Sequence, residues 1–169
     1  MKWMNNAAIL LLAGAILTVC GCAAGKKSVT GQPAAAATAA IVTVTLQGAV
    51  PAGTSINTVD LTLNLPPGVT AKAAPTGLTE EGVMVPSGVA QGSLAAAKFI
   101  PAAGPLPAQL KVALIKAVGF GVGEVATFHL DIKGTAPHPG DFSVTGLNVT
   151  DARGATVSGL TAALGVRIK

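Results

Sequence analysis

Val125-Ala126-Thr127-Phe128-His129-Leu130-Asp131-Ile132-Lys133 decides the fold class. A period of two puts Ala126, Phe128, Leu130 and Ile132 on one face and Thr127, His129, Asp131 and Lys133 on the other, the pattern of a half-buried strand. The same period recurs on both sides of it. Upstream, Leu110, Val112 and Leu114 alternate with Lys111 and Ala113, and Val59, Leu61, Leu63 and Leu65 alternate with Asp60, Thr62 and Asn64. Ile41 to Leu46 is rich in Thr and β-branched residues, and Val83-Met84-Val85 stops at Pro86. Downstream come Phe142 and Val144, Leu147 and Val149, Thr156 and Val157, then Leu164, Val166 and Ile168.

Turn chemistry punctuates these runs at Gly48, Pro51-Ala52-Gly53, Pro66-Pro67-Gly68, Pro137-His138-Pro139-Gly140 and Asp151-Ala152-Arg153-Gly154. Eight or nine short strands with such turns predict an all-β, antiparallel β-sandwich of jelly-roll type over residues 41–169. Only Gly92 to Phe99 (GSLAAAKF) reads as helical.

Composition narrows the functional classes. Only 11% of residues are charged, with two His and seven carboxylates, so acid–base and metal chemistry are poorly stocked. The net charge of +4 is too mild for a nucleic-acid-binding field, and base stacking lacks aromatics: four Phe, no Tyr, and one Trp at position 3. A non-catalytic protein without cofactor or metal is expected.

The N-terminus carries an address. Lys2 followed by the apolar run Ala7 to Leu17 reads as a secretory signal, and the run is shorter than the ~20 residues a spanning helix needs. Val19-Cys20-Gly21-Cys22 resembles the lipobox of bacterial lipoproteins. The resemblance implies a signal peptide over residues 1–21, cleavage between Gly21 and Cys22, and attachment of acyl chains to Cys22. Cys20 is the alternative acceptor, less favoured because Val19 fits before the cleaved bond less well than Gly21. Ala23 rather than Asp after Cys22 implies the outer membrane by the Gram-negative sorting rule, with the periplasmic or surface side left open. Residues 22–40 hold the lipidated Cys and an Ala-, Gly- and Thr-rich stretch with Pro33, read as a flexible tether.

Candidate sites in the sandwich region have bland readings beside the functional ones. Gly119-Phe120-Gly121-Val122-Gly123 echoes a phosphate loop, but a strand rather than a helix is expected to follow, so it reads as a turn. His129 and Asp131 share an outward face and are too few to close a metal site. His138 reads as a turn residue. Glu80 and Glu81, with Asp141 and Asp151, are oxygen donors that lack the spacing of a calcium loop. Asp151-Ala152-Arg153-Gly154 reads as a hairpin turn with Gly154 at positive φ.

Three stretches together resemble the cohesin-like β-sandwich, a relative of bacterial carbohydrate-binding modules: Val59 to Ala71, Leu110 to Gly134, and Phe142 to Val157. The resemblance implies a binding or assembly module whose sheet face takes a protein partner, dockerin-like or another envelope protein. Its carbohydrate branch implies polysaccharide binding instead. Flat sugar platforms stack on exposed Trp and Tyr, which residues 22–169 lack, so glycan recognition would fall to polar loops. No ligand-binding residue is assigned.

Overall fold

The computed structural model describes residues 37–169. The signal peptide, both cysteines, the cleavage site and most of the tether lie outside the described residues.

Nine strands form among the described residues: β1 (Ala39–Gln47), β2 (Ile56–Leu65), β3 (Val69–Thr70), β4 (Met84–Pro86), β5 (Leu94–Ile100), β6 (Ala108–Phe120), β7 (Gly123–Ile132), β8 (Ser143–Thr150) and β9 (Thr161–Ile168). Two single-turn 3₁₀ segments, Gly88–Ala90 and Pro139–Asp141, are the helical pieces in the same region. One sheet has the order β3-β7-β1-β9, with β4 also paired to β7, and the other has the order β5-β6-β2-β8. Each strand pair is antiparallel. This is the expected all-β sandwich.

The core follows from the period-two pattern. Phe128, Leu130 and Ile132 of β7 point inward with Val42, Val44 and Leu46 of β1, and meet Val59, Leu61, Leu63, Leu110 and Leu114 from the second sheet. Phe120, Phe128 and Phe142 are all buried. Each such side chain contributes about 1.5–3 kcal/mol when fully buried, so the core rests on many aliphatic side chains and few rings.

Chain neighbours are rarely sheet neighbours. The chain passes from β1 in the five-stranded sheet to β2 in the four-stranded one, and crosses between sheets again at β2–β3, β4–β5, β6–β7, β7–β8 and β8–β9. Only β5 and β6 form a consecutive hairpin, through Pro101–Pro107.

Three expectations need correction. Gly92 to Phe99 is not helical; from Leu94 it is strand β5, paired with β6 from Leu94↔Ile115 to Ile100↔Gln109. Three alanines in a short window cannot nucleate a helix, and ladder hydrogen bonds to β6 outweigh their weak preference. The Asp151 turn forms as read, with Gly154 at φ +78°, but its hairpin reaches only the Thr150↔Thr156 bridge. Beyond it the chain leaves for the other sheet, where β9 pairs with β1, so Thr156 and Val157 are no strand. The first strand starts at Ala39, ahead of the Ile41 boundary, because Thr38 and Ala39 donate their amides to Lys169 O (2.8 and 3.1 Å).

Candidate binding face

The outward face of β5-β6-β2-β8 is a grid of four rows fixed by register. The rows are Leu94–Ile115–Thr58–Thr150, Ala96–Ala113–Asp60–Asn148, Lys98–Lys111–Thr62–Thr145 and Ile100–Gln109–Asn64–Ser143. Alternate residues of each strand point into the core, leaving these positions on the surface.

The rows differ in chemistry. At one end Leu94 (77% exposed) and Ile115 (51%) form an apolar edge that Val118 (84%) extends. Next, Ala96 and Ala113 with Gly146 line a shallow groove of about 400 Å³ bounded by Asp60, Lys98, Lys111 and Leu78. Lys98 and Lys111 stand directly opposite across β5 and β6. Their Cβ atoms are about 5 Å apart by sheet geometry, and like charges in that position are destabilising. The last row is a pre-formed polar chain: Gln109 Nε2 donates to Asn64 Oδ1 (3.0 Å), and Asn64 Nδ2 donates to Ser143 Oγ (3.1 Å) and Thr145 Oγ1 (3.3 Å).

The apolar edge is built by a bulge. Ile56 pairs with Phe120 and Thr58 with Ile115, so residues 116–119 of β6 stand opposite Asn57 alone. Lys116 Nζ donates to Val89 O (3.1 Å) and Gln91 O (2.8 Å), tying the bulge to the 3₁₀ turn. Bulges of this kind re-aim side chains, here turning Val118 to solvent.

The residues singled out in the sequence fall elsewhere. His129 lies on the outer face of the other sheet, opposite Ile41, in a cleft of about 340 Å³ with Lys72, Glu81, Asp131 and Lys169. The fold thus brings Glu81 to the His129–Asp131 pair, yet no three His, Cys, Asp or Glu side chains among the described residues gather closely enough to hold a metal. Asp141 Oδ2 accepts from the His138 amide (2.8 Å) and Asp151 Oδ1 from the amides of Arg153 and Ala155 (2.8 and 2.9 Å). Both carboxylates are therefore turn formers. Gly119 to Gly123 carries the chain from β6 to β7 with no helix after it, as the turn reading requires. Lys98, Lys111, Leu94, Ile115 and Val118 were not legible as a group, because only strand register assembles them.

No protein-family model and no curated protein matches the chain. Among solved structures it is similar to a non-cellulosomal cohesin from the hyperthermophilic archaeon Archaeoglobus fulgidus, with 16% identity and a TM-score of 0.50, covering 73% of this chain and 75% of that one. At that identity the likeness concerns the fold alone, and the fold is cohesin-like.

Proposed function

We propose that the protein is a lipid-anchored module of the cell envelope, non-catalytic, that binds a protein partner through the outward face of β5-β6-β2-β8. The observation that carries this reading is the composition of that face. Two lysines stand opposite each other across β5 and β6, with the exposed Leu78 opposite Lys98 and the Leu94–Ile115 edge two rows away, an arrangement whose like charges cost the free domain and that suits a partially apolar partner surface carrying carboxylates. Acyl chains on Cys22 fix the module to the outer membrane, on its periplasmic or surface side.

Immobilised protein should retain a defined partner from an outer-membrane extract, and the double variant Lys98→Glu/Lys111→Glu should lose it. Equal retention by both proteins would sink the reading.

The polar row Gln109–Asn64–Ser143 supports a second reading, hydrogen-bonded recognition of a soluble polysaccharide. Crystalline surfaces are disfavoured: residues 37–169 contain no Trp or Tyr, and Phe120, Phe128 and Phe142 are buried. A strong, specific glycan-array signal abolished by Asn64→Ala, with no protein retained, would put this reading first.

A further inference from the structure

We infer that β9 is a strand-pairing edge that joins a second copy of this chain, related by a two-fold axis, into one continuous sheet. The other sheet edges are blunted against such pairing. β3 and β4, which share one edge, have two and three residues, and β4 ends in Pro86. The edge of β5 is taken by the preceding loop: Thr79 donates its amide to Ala97 O (2.9 Å) and Phe99 donates to Gly77 O (2.8 Å). At one end of β8 Val157 donates to Val149 O (2.8 Å). In its middle Gly146 sits at φ +61° and the register with β2 shifts.

β9 has none of these devices. Its eight residues pair with β1 from Thr161 to Ile168 without a register shift; they include no proline, and Arg167 carries their one charge. The Pro139–Asp141 turn and β8 come near it, yet among the described residues β9 exchanges backbone hydrogen bonds with β1 alone. Register tells which groups are free. Lys169 donates to Ala39 O (2.8 Å) and Ala39 to Lys169 O (3.1 Å), a hydrogen-bonded antiparallel pair. Such pairs recur at every second residue, so Arg167, Gly165, Ala163 and Thr161 turn their amides and carbonyls to β1. Ala162, Leu164, Val166 and Ile168 therefore aim theirs outward from the sheet edge. The side chains of these same four residues pack on the core and stay half-buried, with no strand paired beyond them.

The order of residues along β9 selects a second copy as the occupant. Between two antiparallel β9 strands, one register pairs all four outward residues. Ala162 stands opposite the partner's Ile168 and Leu164 opposite the partner's Val166, each twice by symmetry, for about eight main-chain hydrogen bonds. The same register sets Arg167 opposite the partner's Ala163 and Lys169 opposite the partner's Thr161, so no like charges face each other. Gly165 falls on the two-fold axis opposite its own copy, in a non-hydrogen-bonded pair whose Cα atoms approach to about 4.5 Å. Nothing within one chain asks for glycine there: its φ is not left-handed, and a Cβ would meet only Thr43 Cβ, at 3.8 Å. A strand-interior glycine of this kind marks the close approach of another backbone. The contact is isologous and closes as a dimer, and it does not use the outward face of β5-β6-β2-β8.

The test uses the full chain in density-matched detergent, read by sedimentation equilibrium. The parent should dissociate reversibly from dimer to monomer on dilution. Val166→Pro removes an amide that faces away from β1, where an edge strand tolerates proline, and should be a folded monomer by thermal unfolding and sedimentation. Ala163→Arg sets like charges against each Arg167 across the axis and should raise the dimer dissociation constant about two- to thirtyfold; Ala163→Glu should lower it by a similar factor. A parent that stays monomeric up to about 100 µM, its edge left to a foreign strand or to the chain's own N-terminal residues, overturns the inference. So does a folded Val166→Pro that still dimerises, or a shift in the same direction for both Ala163 variants. Should Val166→Pro fail to fold, the Ala163 pair decides alone.

Discussion

Asn57 Nδ2 donates to the backbone carbonyls of Lys116 and Ala117, 3.0 Å to each, and its Oδ1 accepts from Ser55 Oγ at 3.1 Å. It is the buried polar side chain of the described core, 8% exposed. One amide group thereby holds four residues of β6 opposite one residue of β2. The bulge, and with it the exposed position of Val118, depends on a contact between residues 59 and 60 positions apart.

Asn57→Leu should destabilise the protein by about 1–3 kcal/mol, because the two carbonyls lose their donor and remain desolvated. The urea-unfolding midpoint should fall accordingly, while the Asn64→Leu midpoint moves less, since Asn64 makes its bonds at the exposed surface. Equal shifts for the two variants would contradict the assigned role.

Gly119 and Gly121 form a matched pair. Gly119 has φ +69°, and a Cβ there would lie 2.6 Å from Ser55 Oγ, whereas Gly121 has no heavy atom within 4 Å of its Cβ position. Gly119→Ala should therefore cost at least ~1–2 kcal/mol from the left-handed backbone alone, before the clash is counted. Gly121→Ala should stay within about 0.5 kcal/mol of the parent. Thermal unfolding of the two variants distinguishes them directly.

Lys98 and Lys111 should show a trade between stability and binding. Replacing either by Ala removes the like-charge contact and should stabilise the domain by roughly 0.2–1 kcal/mol, most visibly at low salt. Partner retention should fall in the same variants. A lysine variant that loses stability and keeps its partner would refute the assignment.

Anchoring has a chemical readout. Labelled palmitate should enter the parent chain and Cys20→Ala, and be absent from Cys22→Ala. Label persisting in Cys22→Ala and lost in Cys20→Ala would move the attachment to Cys20.

Much of the sandwich was legible because alternation is a local property. Ala126 to Lys133 declares its two faces without reference to any other strand. The Asp151 turn was legible for the same reason, since its bonds to Arg153 and Ala155 lie within four residues. Gly92 to Phe99 reads as helical only because its local signal, three alanines, is weak, while the hydrogen bonds that make Leu94–Ile100 a strand come from β6. The binding face was invisible for a related reason. Lys98 and Lys111 are 13 positions apart in sequence and neighbours only through the β5–β6 register.

The sequence by itself determined most of the strands, their inward faces and the turns between many of them. All of these are set by side chains within a few residues of one another. Tertiary structure decided which strands share a sheet, that a Pro-rich apolar loop lies at the end where the chain joins the sandwich, and that Lys98 and Lys111 stand opposite each other two rows from an aliphatic edge. Those relations follow from six crossings between sheets and from the β5–β6 register, which bring together residues that no local pattern connects.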